Sequence, residues 1–364
     1  MSTGCLAAVI PAPHAPVVLR EFSIPPLEPD SALLRVEFSE VCGTDVHLRE
    51  GRLAGVPYPL IPGHVTVGVL DRIRGGLTDV DGRRFAEGDR VTFLDVHRTC
   101  HRCRACLLDK ASTRCPQRKV YGITYGAADG LSGGWAQYVY LKPGTLCIGL
   151  EGVESRLFMS GGCSLPTALH AVERAALRIG ETVLVLGAGP VGLSCAALAK
   201  LSGAGKVLCI GAPDLRLAAA RAIGADETLN FEGCDEAARE AWVRLHTQGR
   251  GADVTIEAAG APVAAAQAMR FTRDAGRVVI VGQYTDCGDA TINPHRDINR
   301  KHLDIRGCWG SDYSHFHRAV EVLRTEAGRR AWSTLSVEER PLDGLNAALD
   351  DVAAGRSIKL LVRP

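Results

Sequence analysis

A turn with three spaced glycines, set between an apolar strand and a helix, constrains the fold of this chain most strongly. Residues 182–186 form a continuous apolar run typical of a strand, and residues 187–192 open a helix that continues to about Leu201. In such a turn the first glycine allows a tight bend, the second lets the backbone approach a pyrophosphate, and the third lets helix and strand pack closely. The pattern therefore predicts dinucleotide binding at the helix N-terminus. The expected contacts are Gly187, Gly189, Pro190, Val191 and Gly192.

The residues after this turn continue an alternation of strands and helices. Strands are predicted at 206–210, 254–257 and 277–281, and helices at 215–224 and 262–273. Repeated βαβ units of this kind build a parallel sheet with helices on both faces. The predicted fold class is therefore α/β, with a doubly wound parallel sheet of the Rossmann type.

The first 160 or so residues have a different character. Short strand-like runs such as 33–38 are separated by closely spaced glycines and prolines, which is typical of a loop-rich β domain. A chain of 364 residues is also long enough for about two domains. We expect a β-rich domain at 1–164, a dinucleotide-binding domain at 165–309, and a segment at 310–364 that returns to the first domain with a helix near 316–324 and a strand near 357–362.

Charge and apolar patterning argue against a nucleic-acid or membrane partner. Because 42 Lys and Arg residues balance 41 Asp and Glu residues, the chain has no overall field that would attract a polyanion. The longest uncharged run, 182–199, approaches transmembrane length, but glycines and a proline interrupt it. The N-terminus lacks the features of a signal peptide. We therefore expect a cytoplasmic protein whose 13 cysteines bind metal or stay reduced.

The end of the second predicted strand bears on which dinucleotide is bound. An acid at this point would bind the adenosine ribose hydroxyls, but the strand ends at Gly211. Without a carboxylate nothing repels a 2′-phosphate, and Arg216 lies just beyond to pair with one. Two alternatives stay open: Asp214 reaches the ribose, or Arg216 is a solvated helix residue. The pattern favours NADP slightly over NAD, with Gly211 and Arg216 as contacts.

Four cysteines are clustered within one short lobe, at about 97–118. Four thiolates complete a tetrahedral shell with no open position, which is the arrangement of a structural zinc site. Buried free thiols are the alternative, and the arginines among the cysteines also raise the possibility of a nucleic-acid zinc ribbon. A structural zinc beside a dinucleotide fold is the preferred interpretation. The ligands would be Cys100, Cys103, Cys106 and Cys115.

A second set of candidate ligands is dispersed along the chain. Cys42 opens the segment Cys-Gly-Thr-Asp-Val-His, which places a thiol, a hydroxyl, a carboxylate and an imidazole within one turn. His64 follows Pro-Gly, and Cys163 follows Gly-Gly at the junction with the dinucleotide fold. Each residue alone is more often structural, but their neighbours make them candidate metal ligands.

Together these motifs resemble those of the zinc-containing alcohol dehydrogenases in the medium-chain dehydrogenase/reductase superfamily. The residues 88–91 (Gly-Asp-Arg-Val), 251–257 and 357–359 also fit in order, and the resemblance covers essentially the whole chain. It implies a GroES-like catalytic domain ahead of the Rossmann domain, and two zinc ions per chain. Cys42, His64 and Cys163 would hold a catalytic zinc whose fourth position is left for water or substrate.

The resemblance also implies how the remaining site residues act. Asp45 would orient His64 and fix its tautomer. Thr44 would take the proton of the alcohol, and His47 would pass it to solvent through the cofactor ribose. The reaction would be a reversible hydride transfer between an alcohol and NAD(P), with zinc as Lewis acid. Thr167 would lie near the nicotinamide, and Lys359 near the pyrophosphate.

At one position the sequence departs from the family pattern, and this leaves other functions open. The family usually has a glutamate directly after the histidine ligand, and this chain has Val65. The change argues against the polyol-dehydrogenase arrangement, in which the glutamate is a ligand. A zinc-independent enone or quinone reductase and a non-catalytic dinucleotide sensor are the alternatives. The substrate does not follow from the sequence.

By analogy with the family we expect a homodimer or homotetramer, with 277–281 as an edge strand.

Overall fold

The computed structural model describes residues 4–364, and the strands are numbered along the chain. Those in the N-terminal part are β1 Gly4–Val9, β2 Val18–Ser23, β3 Ser31–Val41, β4 Thr66–Arg74, β5 Arg90–Phe93, β6 Val96–Arg98, β7 Lys119–Val120, β8 Tyr138–Leu141 and β9 Cys147–Gly149. Those that follow are β10 Thr182–Leu186, β11 Lys206–Gly211, β12 Glu227–Asn230, β13 Ala252–Glu257, β14 Thr272–Ile280, β15 Asp304–Gly307, β16 Val337–Arg340 and β17 Lys359–Val362.

The helices are numbered in the same way, and short turns accompany them. The α-helices are α1 Gly43–Arg49, α2 Arg104–Leu107, α3 Ser155–Gly161, α4 Ser164–Ala175, α5 Pro190–Leu201, α6 Asp214–Ile223, α7 Glu236–His246, α8 Pro262–Phe271, α9 Tyr313–Arg324, α10 Glu326–Trp332 and α11 Leu345–Ala353. Turns of 3₁₀ helix occupy Ser112–Arg114, Ala127–Asp129 and Leu342–Gly344, and a π-helical turn occupies Pro294–Asn299.

The chain divides into two compact units. The first unit contains the chain up to Cys163 together with Asp312–Val320 and Ser336–Pro364, and the second contains Ser164–Ser311 and Glu321–Leu335. The sequence assigned all of 310–364 to the first domain. The structure instead groups Glu321–Leu335 with the second unit, because α10 packs against α5 and α6.

The first unit is built on a largely antiparallel sheet. Within residues 4–364, its strands follow the order β16-β17-β3-β4-β5-β9, and β8 pairs with β3. One face carries a core of aliphatic and aromatic side chains that includes Leu34, Phe93 and Tyr121. Strand β3 is central, since β17, β4 and β8 all pair with it. Its C-terminal end leads directly to Cys42, so this strand positions the first candidate ligand.

The second unit is a parallel sheet with the order β12-β11-β10-β13-β14-β15 within the described chain. After Thr182, strand β10 is apolar and buried, as suits a strand that lies between β11 and β13. Helix α5 is buried along most of its length because it contacts α4 and α6 as well as the sheet. The predicted α/β class, with a doubly wound sheet and a separate β-rich part, is confirmed.

Two further expectations can be compared with the sheet. Residues 277–281 were expected at a sheet edge, but β14 is an inner strand and the short β15 takes the edge. β15 was missed because Asp304-Ile305-Arg306 has no apolar run.

The uncharged run 182–199 forms β10, the glycine turn and most of α5. Of the helices between residues 4 and 364, none combines the length and apolarity needed to span a bilayer.

Asp253 fixes the start of β10, whose other end carries the glycine turn. Its carboxylate accepts the N–H of Thr182 at 2.7 Å and the Nε of Arg273 at 2.6 Å. Burial alone would raise the pKa of Asp253, but these partners outweigh burial and hold the pKa below its usual value. The ionised carboxylate therefore stabilises the fold above the unfolded-state pKa of about 3.9, and this contribution is lost as pH falls through the lower folded-state pKa.

We predict that Asp253→Asn lowers the free energy of unfolding by about 1–3 kcal/mol at pH 7, because bonds to a charged acceptor are lost. The difference from wild type should shrink as pH falls below about 4. Urea unfolding at several pH values measures both effects. The exposed neighbour Asp274 supplies the control variant Asp274→Asn. A destabilisation by Asp253→Asn that stays constant down to pH 3 would contradict the assignment.

Candidate functional site

The glycine turn between β10 and α5 has the geometry that its spacing predicted. Gly187 has φ +108°, a conformation that disfavours other residues, and a Cβ there would lie 2.8 Å from Ala258. A Cβ on Gly192 would overlap the carbonyl oxygen of Gly187, so this glycine is needed for close packing of helix and strand. Around Gly189 nothing described lies within 4 Å of a Cβ position. The turn therefore leaves open space beside its second glycine, where a pyrophosphate would approach.

The turn borders a pocket of about 320 Å³ in the second unit. Gly211 and Arg216 line it, as does Arg239 from α7. None of the described residues that line the pocket is acidic, and Asp214 instead accepts a hydrogen bond from Asn230 at 2.8 Å. Burial lowers the pKa of Arg216, which is still charged at neutral pH. The pocket thus presents two guanidinium groups and no carboxylate.

Arg239 was missed from the sequence because α7 itself was not predicted. The signal was present in Asp235, whose side chain accepts the N–H of Ala238 and caps the helix. The Nε of Arg239 donates to the carbonyl oxygen of Asp235 at 3.1 Å, which directs the side chain along the first turn of α7.

In the first unit, Cys42, His64 and Cys163 converge on one point. Their two Sγ atoms and one ring nitrogen all lie within 4.8 Å of one another. Cys42 follows β3 at the start of α1, His64 lies in the loop before β4, and Cys163 lies between α3 and α4. Three segments that are far apart in sequence therefore bring two thiol sulfurs and one imidazole nitrogen together in the first unit.

Cys163 interacts with both Cys42 and His64 and shifts the pKa of each. A hydrogen bond from Cys42 lowers the pKa of Cys163, and the same interaction raises the pKa of Cys42. Burial lowers the pKa of His64, but Cys163 and nearby carboxylates outweigh burial and raise it to about 10. The three side chains surround one buried point. Thiolates and an imidazole around such a point fit a zinc ion, which takes S and N ligands in tetrahedral geometry.

Asp45 lies beneath this cluster on the buried face of α1. Its Oδ2 accepts the N–H of Cys42 at 2.8 Å, and burial raises its pKa to about 6. Its charge also raises the pKa of His64. Within residues 4–364 no hydrogen-bond partner is found for the buried Asp45 Oδ1 or for His64 Nδ1. The structure therefore places the Asp45 carboxylate against the N–H of Cys42, and its role in orienting His64 stays a prediction.

The side chain of Lys359 is held within the first unit, and its predicted place near the pyrophosphate stays a prediction. Its Nζ donates to the carboxylate of Glu40 and, at 3.3 Å, to the carbonyl oxygen of Gly161. The side chains of Lys359 and Glu40 are 2% and 1% exposed. Burial alone would raise the pKa of Glu40, but Lys359 and His64 hold it below its usual value. Glu40 was missed because its ionic partner lies 319 residues away.

The remaining predicted residues occupy two helices. Thr44 and His47 lie on α1 three residues apart, which places them on the same side of that helix. His47 is half-buried, and burial lowers its pKa, so the imidazole is neutral and able to accept a proton at pH 7. Thr167 lies in the first turn of α4, in the second unit. Val65 is fully buried in the first unit and offers no ligand atom.

The four clustered cysteines also come together. The Sγ atoms of Cys100, Cys103, Cys106 and Cys115 all lie within 4.8 Å of one another. The N–H of Cys100 donates to the Sγ of Cys115 at 3.3 Å, a contact that stabilises a thiolate. A backbone hydrogen bond from Arg102 lowers the pKa of Cys100 to about 6. Four thiols with one already inclined to ionise fit a closed metal site.

Comparison with known proteins agrees with this architecture. Residues 28–151 match the family profile of the alcohol dehydrogenase GroES-like domain, and residues 190–325 match that of the zinc-binding dehydrogenases. The 5-exo-hydroxycamphor dehydrogenase of Pseudomonas putida is 31% identical over 338 residues, covering 92% of each protein. An alcohol dehydrogenase structure from Thermotoga maritima has a TM-score of 0.93 at 30% identity, covering 100% of both chains. A Sinorhizobium meliloti 1021 protein solved with NADP has a TM-score of 0.82 at 26% identity, also covering 100% of both chains.

The chain therefore belongs to the zinc-binding alcohol dehydrogenase family. The predicted family is confirmed, and so is the activity at this level: the protein is an oxidoreductase that transfers a hydride between an alcohol and NAD(P). Zinc and NAD(P) are the cofactors that this family implies. These similarities favour a dehydrogenase over the zinc-independent reductase and the dinucleotide sensor considered from the sequence.

Two glycines of the turn should respond differently to the same substitution. Gly189→Ala should leave the free energy of unfolding nearly unchanged, because the added methyl group meets open space, but weaken NAD(P) binding about tenfold or more. Gly192→Ala should destabilise the fold, because the methyl group overlaps Gly187. Urea unfolding and dinucleotide titration separate the two effects. Unchanged dinucleotide affinity in Gly189→Ala would show that the pyrophosphate does not approach this glycine.

Proposed function

We propose that Cys42, His64 and Cys163 hold the catalytic zinc with which this enzyme oxidises an alcohol or reduces its carbonyl product. The observation that supports the proposal is the convergence of two thiols and one imidazole within 4.8 Å in a buried setting. Three protein ligands leave a fourth position for substrate, as catalytic zinc sites require. When bound, zinc supplies Lewis acidity that lowers the pKa of the alcohol, and the dinucleotide accepts the hydride.

The side chains of α1 then move the proton. The hydroxyl of Thr44 accepts it from the alcohol, and the imidazole of His47 takes it onward to solvent. His47 suits this role because burial lowers its pKa and keeps it neutral before transfer. Asp45 holds the Cys42 end of α1 through the Cys42 N–H and places negative charge beside His64. Thr167 is proposed to contact the nicotinamide.

We further propose a second, structural zinc. Cys100, Cys103, Cys106 and Cys115 offer four sulfur ligands and hence no open position. The resulting stoichiometry is two zinc ions per chain. We also propose a homodimer or homotetramer, since β15 ends the parallel sheet and its outer edge is able to pair with another copy.

We propose NADP as the preferred dinucleotide. The support is the pocket beside Gly211, which two arginines line and where no acidic residue lies among the described lining residues. Arg216 and Arg239 together offer the paired guanidinium groups that bind phosphate well. An NAD-specific site would place a carboxylate against the ribose at this point.

The zinc assignment predicts the metal content of a single variant. Cys163→Ala should lower zinc from about two ions per chain to about one, because only the three-ligand site loses a donor. Alcohol oxidation should fall to background, while the four-cysteine site keeps its metal. Elemental analysis of protein purified without added zinc measures the change. The buried thiol Cys209 in β11 supplies the matched control Cys209→Ala, which should keep both ions. Wild-type turnover in Cys163→Ala would overturn the assignment.

The cofactor assignment predicts a selective loss of NADP affinity. Arg216→Ala and Arg239→Ala should each raise the dissociation constant for NADP about tenfold or more, since a charge-assisted bond is worth about 1.5–3 kcal/mol. The affinity for NAD should change much less. Arg221 on the same helix donates to Thr228, so Arg221→Ala is a matched control. Equal losses for NAD and NADP would contradict a 2′-phosphate contact.

A further inference from the structure

The buried ion pair between Glu40 and Lys359 joins three parts of the first unit. Glu40 lies near the end of β3, and Lys359 is the first residue of β17. Both contact the turn at 161–163, which ends in Cys163. Placing two charges in a protein interior is costly unless each is well paired. The partners that this pair finds in the turn therefore bear on its role.

Glu40 contacts Cys163 through both carboxylate oxygens. Oε2 accepts the N–H of Cys163 at 2.7 Å, and Oε1 lies 3.4 Å from its Sγ. Lys359 binds the same carboxylate and also donates to the carbonyl oxygen of Gly161 at 3.3 Å. The backbone on either side of Gly162 is therefore held by one charged pair.

Gly162 shows how closely the pair is fitted to this turn. It has φ +47°, and a Cβ there would overlap the Glu40 Oε2 and the Lys359 Nζ. The charged groups thus lie directly against the backbone just before Cys163. A side chain at position 162 would displace them.

Glu40 also lies beside the position where the family's usual glutamate is missing. Its N–H donates to the carbonyl oxygen of Val65 at 3.1 Å, so residues 40 and 65 are direct neighbours across the β3–β4 ladder. The site therefore keeps a buried carboxylate next to its ligands, although the carboxylate comes from a different strand.

We propose that Glu40, held by Lys359, is a positioning residue for the metal centre: by accepting the N–H of Cys163 it fixes the backbone that carries this ligand. The proposal rests on the assignment of Cys42, His64 and Cys163 as metal ligands. Glu40 acts through Cys163 and need not touch substrate. Removing a group that orients a metal ligand typically lowers metal affinity by about 10–100-fold.

Two double variants separate positioning from simple packing. E40L/K359M replaces the ion pair by apolar side chains of similar size, which leaves no uncompensated charge and preserves folding. E40Q/K359M is also uncharged, but its amide oxygen still accepts the N–H of Cys163. A third variant, E181L/R277M, makes the same kind of replacement at a buried ion pair in the second unit and serves as the control.

The measurement is the cobalt(II) spectrum and the rate of metal loss to a chelator, with full-length protein loaded at both sites. The four-cysteine site reports folding within each sample. E40L/K359M should lose metal from the three-ligand site about 10–100-fold faster than wild type and show shifted ligand-field bands. E40Q/K359M should recover much of the loss, and E181L/R277M should match wild type.

A failure of the proposed metal site and a failure of the positioning role of Glu40 give different results. If wild type binds no cobalt that depends on Cys163, the proposed metal site itself fails. If wild type binds it and E40L/K359M has the same spectrum and the same rate, Glu40 has no positioning role. If E40Q/K359M is as impaired as E40L/K359M, the acceptor for the Cys163 N–H is not what Glu40 supplies.

Discussion

Two thiols and an imidazole, from residues 42, 64 and 163, meet at one buried point. Removing these polar groups from water costs free energy, and keeping them together is the constraint that shapes the first unit. Thiolates repel one another in a low-dielectric interior unless a cation lies between them. The protein fixes the backbone of both cysteines: Asp45 accepts the N–H of Cys42, and Glu40, which is paired with Lys359, accepts the N–H of Cys163. Strand β3 connects these supports, since it carries Glu40 and leads directly into Cys42.

The second unit meets a different requirement, since its glycine turn is proposed to bring the backbone close to the phosphate oxygens of a dinucleotide. Three glycines accomplish this by distinct means: Gly187 through its positive φ, Gly192 through close packing, and Gly189 through the open space beside it. The selectivity for NADP that we propose depends on the neighbouring pocket, which is lined by Arg216, Arg239 and Gly211. Binding and discrimination are thus assigned to separate residues, which allows one to change without the other.

The parts of the fold and site that the sequence predicted are those with local signals. The glycine turn, β10 and α5 were predicted because spacing and an apolar run coincide within twenty or so residues, and the four-cysteine lobe because its ligands are close in sequence. Glu40 was missed because a single acid in a strand gains meaning only from Lys359, at the far end of the chain. Arg239 was missed because α7 is largely polar, and β15 because it is both polar and short.

The most direct test of the account is a crystal structure of the zinc-loaded protein with anomalous data collected at the zinc absorption edge. The account predicts two peaks per chain: one surrounded by the four sulfurs of the cysteine lobe, and one bounded by Cys42, His64 and Cys163 with its fourth position open to solvent or substrate. A single peak in the cysteine lobe, with the other three residues free of metal, would contradict the central claim that this buried cluster is the catalytic metal site.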